Sequence, residues 1–347
     1  MKPGTDSKTG QQKNTFHTPA RKNSDRKFSD HYGRQSIDMN DVMAFMVKDD
    51  IINNPVELQK LYINIAKSGV PKLVIDTQGK IIFGPKEYNN LQKDLFLNNE
   101  FEYKLNEKGE IEKVKVTGND LNYNIFSQQK ETILQCLKTK DTKQLFESLK
   151  KIPYFEKYMN GKTGVSENEE GNKILWEHTK NVMETFYKNF SNFSSPIVNE
   201  QLMGVILLLH DIGKTYAYEK LGNKELQHFV TSVMIPNIMK EFGFNQKEIN
   251  IALAIIDQPL IKGRDIMTHI IVSNLTEKDI KSVAYDIRIE ASKNNIDPKE
   301  YFRILQMFTI ADGSVYINFQ NSFSDVDGKK TWNEEIKKKM DEIEKNL

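Results

Sequence analysis

Cysteine is almost absent from this 347-residue chain: Cys136 stands alone, which excludes a disulfide framework and a cysteine-based zinc site. Net charge is also nearly absent, at +1, so no global field is available to hold a nucleic acid or an anionic surface. Long apolar runs are missing, the longest uninterrupted aliphatic stretch being Val205–Leu209, far short of a membrane span. The opening residues, Met1–Asp6, lack the apolar core of a secretory signal. The expectation is a soluble cytoplasmic protein with no membrane partner, with signal-less secretion left open. Neither G-x-x-x-x-G-K-[ST] nor G-x-G-x-x-G occurs, so no glycine-rich phosphate cradle is expected. No internal repeat or coiled-coil register stands out.

What is present divides into regions. Residues 1–38 are polar and basic with almost no aliphatic side chains, and read as a disordered leader that could tether nucleic acid. Residues 39–125 mix element types and suggest a small α+β domain with a modest antiparallel sheet. Asp41–Ser68 reads as helix broken near Asn53-Asn54-Pro55. Leu73-Val74-Ile75 and Ile81-Ile82-Phe83 flank the turn Asp76–Lys80, and alternation at Phe101, Tyr103 and Leu105, then Val114 and Val116, marks a second hairpin. From 126 to 330 the pattern is helical, with helices expected at 127–138, 142–151, 172–190, 198–210, 226–242, 246–258, 264–273, 276–293 and 298–311. A last helix, 332–346 within a tail of 331–347, carries Trp332, Ile336, Met340, Ile343 and Leu347 on one stripe and reads as a docking helix.

Histidine is scarce and unevenly placed. Of six, His17 and His31 lie in the leader and the rest, His178, His210, His228 and His269, in the second half. The central signal is Leu208-Leu209-His210-Asp211-Ile212-Gly213-Lys214. An apolar helix ends in adjacent imidazole and carboxylate, donors that suit borderline divalent metals. Gly213 sits where a left-handed helix cap is expected. His178 shares a helical face with Val182 and Phe186, so it points inward. Asp312 follows Phe302, Leu305 and Phe308 on an inward stripe, where an ionised carboxylate is costly unless paired or bound to a cation. His228 opens the next helix, with Ser232 four residues on.

His178, His210-Asp211 and Asp312, in that order on successive helices, resemble the ligand set of the HD superfamily of metal-dependent phosphohydrolases. The run His210-Asp211-Ile212-Gly213-Lys214, then His228 and Ser232, then Phe242-Gly243-Phe244, resembles the branch of HD nucleotidases, phosphodiesterases and the HD module of bacterial tRNA nucleotidyltransferases. The resemblance covers roughly residues 170–320. It implies a mainly α fold, an HD-type helical bundle, hydrolysing a nucleotide or nucleic-acid phosphate. It implies metal ligands His178, His210, Asp211 and Asp312, with Asp211, Lys214 and His228 in catalysis. A position that often carries a further histidine reads Ile255-Ile256-Asp257-Gln258-Pro259. Asp257, with His228, is therefore the candidate for a second metal or the phosphate, and His269 is the alternative. The family uses divalent metals, with Mn, Mg, Ni, Co, Fe and Zn not distinguished. Gly213-Lys214 stands where the stringent-nucleotide hydrolases carry Glu-Asp, and no Gly-Ser element with an Asp-x-Asp pair precedes the motif, which argues against that substrate and against a whole nucleotidyltransferase. The rival readings are a di-iron HD-fold oxygenase and a non-catalytic nucleotide-binding module. Oligomeric state is not legible.

Overall fold

The computed structural model describes residues 44–97, 101–107, 110–115, 121–161, 174–258, 260–261 and 264–347. The leader 1–38, with His17 and His31, lies outside the described residues, as do Val116 and Pro259. The protein is mainly helical with small sheets, and its chain divides into two compact units. Among the described residues no helix is long and apolar enough to cross a membrane.

The first unit spans most of 44–116. It contains β1 (Ala44–Met46), α1 (Asp49–Ile52), α2 (Pro55–Lys67), β2 (Leu73–Ile75), β3 (Ile81–Phe83), α3 (Pro85–Leu95), β4 (Phe101–Leu105) and β5 (Ile111–Lys115). The expected helix over Asp41–Ser68 is corrected at its start. Residues 44–46 form a strand lying parallel to β2, with Phe45 opposite Val74. A three-residue apolar run does not distinguish strand from helix, and here pairing with β2 decides. The sheet is consequently mixed rather than antiparallel, since β2 also pairs antiparallel with β3. In the β2–β3 turn Gly79 adopts φ +82°, a left-handed conformation that favours glycine, and Asp76 Oδ1 accepts from the amides of Gln78 and Lys80. Val47, Ile65, Val74, Phe83 and Tyr88 form the unit's core. The β4–β5 hairpin is paired over its full length.

The second unit holds α4 (Leu121–Thr139), α5 (Thr142–Leu149), α6 (Pro153–Met159), α7 (Leu175–Asn189), α8 (Glu200–Leu209), α9 (Gln227–Phe242), α10 (Gln246–Ile256), the short pair β6 (Leu260–Ile261) and β7 (Arg264–Asp265), α11 (Ile266–Val272), α12 (Glu277–Lys293) and α13 (Pro298–Gly313). It closes with the hairpin β8 (Phe323–Val326) and β9 (Lys329–Trp332) and with α14 (Glu334–Lys345). The expected 332–346 helix therefore begins later. Trp332 belongs to β9, where its indole N–H donates to Gln306 Oε1 at 3.1 Å and its ring stacks on Phe323. Ile336, Met340 and Ile343 are the buried stripe of α14, which packs on α12.

α8 is the hub. Asn199 caps it by accepting from the Leu202 amide at 2.8 Å, and every residue from Leu202 to Leu209 is buried. A helix apolar on all sides must be surrounded, and α4, α7, α9 and α10 pack around it. Gly204 permits the approach on one side, since a Cβ there would meet Leu137 Cδ2 at 3.0 Å. The fold thus places the end of α8, where His210 follows, in the interior of the unit.

Candidate metal centre

Three helices deliver the donors. α7 buries His178 with Thr179, Val182, Met183 and Phe186. α8 delivers His210 and Asp211 at its C-terminal end, and α13 delivers Asp312 in its last turn. One donor atom from each of these four side chains lies within 4.8 Å of every other. His178 Nε2 is 3.3 Å from His210 Nε2, 3.1 Å from Asp211 Oδ2 and 3.2 Å from Asp312 Oδ1. His210 Nε2 is 3.3 Å from Asp211 Oδ2 and 3.4 Å from Asp312 Oδ1. Among the described residues no other group of three or more histidine, cysteine or acidic side chains converges in this way.

These spacings fit a cation. Donors about 2.1 Å from a shared ion stand roughly 3.0 Å apart at neighbouring octahedral positions and about 3.4 Å apart at tetrahedral ones. The observed separations, 3.1–3.4 Å, fall in that interval. The tautomer of His210 fits as well. Its Nδ1 is 2.7 Å from the Leu207 carbonyl, which can only accept, so Nδ1 carries the proton and neutral His210 turns the lone pair of Nε2 to the cluster. Asp211 Oδ2 and Asp312 Oδ1 are buried and make no hydrogen bond of acceptable direction, although nitrogens surround them closely. Buried carboxylate oxygens in that state are what a bound cation would satisfy.

The electrostatics are those of a charge cluster enclosed in protein. Burial opposes the charge on His210, yet Asp211 and Asp312 outweigh it and raise its pKa to about 10. Burial also works against the carboxylates. Lys214 and His210 hold Asp211 well below its ordinary range despite it, and the close approach of His178 and His210 does the same for Asp312. Lys214 is buried too, and its proton is held far more tightly than usual by Asp211, whose Oδ2 is 2.6 Å from Nζ. Asp312 is the exposed member, with 27% of its side chain accessible against 4–9% for His178, His210, Asp211 and Lys214.

Gly213 owes its identity to something other than the expected left-handed cap, since its φ is not positive. A Cβ at this position would sit 2.5 Å from the Thr231 amide and 2.6 Å from its hydroxyl, so α9 can approach only a glycine. Thr231 Oγ1 in turn accepts from the Gly213 amide at 3.1 Å. Direct α8–α9 packing across this turn aims Lys214 back at Asp211.

Other expected site residues are not brought to the cluster. His228 is exposed on the first turn of α9, its Nε2 3.2 Å from the Gln227 amide nitrogen. Asp257 is exposed at the C-terminal end of α10. His269 is buried on α11 with Nδ1 3.2 Å from Ser273 Oγ. Sequence reasoning overlooked Tyr316. Its hydroxyl accepts from Lys214 Nζ at 3.0 Å and lies 3.3 Å from His178 Nε2, while burial, against the effect of Lys214, pushes it above the usual phenol range. The available signal was its position just after Asp312, past the end of α13. Phe308 also escaped notice as a site residue, although its ring meets that of His210 edge-on.

Comparison of the chain with family models, with curated proteins and with solved structures finds no match.

Proposed function

We propose that the second unit is an HD-type helical bundle and that the protein is a divalent-metal-dependent phosphohydrolase or phosphodiesterase acting on a nucleotide or nucleic-acid phosphate. The observation that carries this reading is the convergence of two imidazole nitrogens and two carboxylate oxygens, within 4.8 Å of one another, on three helices far apart in sequence. His178, His210, Asp211 and Asp312 would hold the cation. When bound, a divalent ion supplies Lewis-acid polarisation of a phosphoryl oxygen and acidifies water towards neutral pH.

The chain's own groups supply the rest. Leu207 orients His210 through Nδ1. Asp211 turns Oδ2 to the cluster, which leaves its second carboxylate oxygen to take up a proton from the attacking water. Lys214 carries three N–H donors; Tyr316 takes one, the ammonium charge faces Asp211 Oδ2 at 2.6 Å, and a donor is available to a phosphoryl oxygen. A buried ammonium beside the reacting phosphate stabilises the charge that gathers on its oxygens during attack. His178, His210, Asp211 and Lys214 are each below one-tenth exposed, which limits the access of bulk water to them. The di-iron alternative needs a second set of ligands, and the candidates for it, His228 and Asp257, lie outside the cluster.

The test is metal content and turnover together. Purified protein, supplied with Mn, Mg, Ni, Co, Fe or Zn, is assayed against a panel of nucleotides and phosphate mono- and diesters. The expected result is hydrolysis that chelator abolishes and that a His210→Ala/Asp211→Ala double variant lacks. Equal turnover in wild type and double variant would overturn the proposal.

A further inference from the structure

The phenol oxygen of Tyr316 faces the same cluster and has so far been given no role of its own. It lies 3.3 Å from His178 Nε2. That is long for an O–H to nitrogen hydrogen bond, but it matches the 3.1–3.4 Å at which the two imidazole nitrogens stand from each other and from the two carboxylate oxygens. The residue is also fixed in place. Its amide donates to the Gly313 carbonyl at 3.1 Å in the turn that follows α13, and its ring tilts against that of His178 with centroids 5.1 Å apart.

We infer that Tyr316 is a fifth protein ligand of this centre, its phenol oxygen joining the cation beside His178. The inference rests on the reading of the cluster as a cation site. Its chemical basis is the position of Lys214. An ammonium can only donate, so at 3.0 Å it presents positive charge to the phenol oxygen while Nζ also contacts Asp211 Oδ2 at 2.6 Å. Lys214 thus bridges two oxygens, one already anionic and one that becomes so if the phenol proton is released to solvent on metal binding. A buried phenolate without such a partner would be prohibitive. The resulting donor set, two imidazoles and three oxygens, is hard enough to prefer iron and manganese over thiophilic ions. Lys214 would then serve two purposes: it supports the phenolate, and it keeps one N–H for substrate.

The experiment loads metal-stripped full-length protein with ferric iron and records its visible spectrum. A phenolate bound to ferric iron has a ligand-to-metal charge-transfer band in the visible that imidazole and carboxylate ligands do not produce. The expected result is such a band in the wild type and its loss in Tyr316→Phe, which keeps the ring, still folds by circular dichroism and still takes up iron. Manganese affinity in Tyr316→Phe is expected to fall by at least about tenfold. Tyr316→His, which returns a donor, should recover affinity without the band. A wild-type protein that binds iron without the band, or a Tyr316→Phe protein that retains it, overturns the tyrosine ligand and leaves the four-residue centre standing. A wild-type protein that takes up no iron, manganese or cobalt overturns both.

Discussion

Lys214 and Asp211 approach to 2.6 Å in the interior of the helical unit, and Lys281 and Glu277 approach to the same 2.6 Å on the surface of α12. In the first pair the side chains are 9% and 8% accessible, in the second 61% and 83%. Both depress a carboxyl pKa, but for different reasons. Glu277 is lowered by a hydrogen bond and the charge of Lys281 in open water, where salt screens the pair and two long side chains lose freedom to meet. Asp211 is lowered in spite of burial, because Lys214, His210 and His178 compensate it. Distance therefore says little about what a pair does. Removal from water makes the interior cluster interdependent, so that each member's charge is tolerable only while the others are present.

The sharpest way to break that contrast is Lys214→Ala. It leaves Asp211 buried without its cationic partner and should destabilise metal-free protein by about 3–5 kcal/mol in urea unfolding. Saturating divalent cation should recover much of the loss, since it returns positive charge to the same oxygens. Equal stability of Lys214→Ala with and without metal would remove the electrostatic argument. Gly213→Ala attacks the same turn by volume rather than charge. With Thr231 backbone 2.5 Å from the new Cβ, a loss of about 1–3 kcal/mol is expected, and cation should not restore it.

A pH series follows in size. The raised pKa of His210, about 10, stabilises metal-free protein fully below the unfolded value of about 6.5, and that contribution is lost as pH rises through 10. A cation takes the place of that proton. Its affinity should therefore climb by up to about tenfold per pH unit on the alkaline side of neutrality and level off near the pKa. Calorimetry in buffers of different ionisation enthalpy should register one proton released from His210, and a second from Tyr316 where its phenol joins the cation. A pH-independent affinity would mean that His210 is not a ligand. The smallest effect belongs to the surface: Lys281→Ala should leave the unfolding midpoint unresolved from wild type, at low salt and at high.

The helical unit was largely legible before any coordinates. The stripes of α7, α9, α12 and α13 repeat at helical spacing over long spans, and the structure places helices within a few residues of where they were expected. Short elements were harder. α6 runs only seven residues and is buried at Tyr154, Phe155, Tyr158 and Met159, with little periodicity to read. The β8–β9 hairpin is four residues a side, and β1 declares itself only by pairing with a strand 27 residues or more along the chain. At the site, the donor types and their inward helical faces were visible for His178, His210, Asp211 and Asp312. The expectation for Gly213 had the right residue and the wrong cause.

From the amino-acid order alone came the apolar run that makes α8 a central helix, the donors at its end and the inward stripes of its neighbours, because periodicity and side-chain chemistry are local properties. Only the tertiary structure decided that these donors share one point, that His228 and Asp257 stay in solvent, and that Tyr316 completes the wall beside His178. Convergence depends on how whole helices cross, and no short stretch of sequence encodes an angle between elements that meet a hundred residues apart.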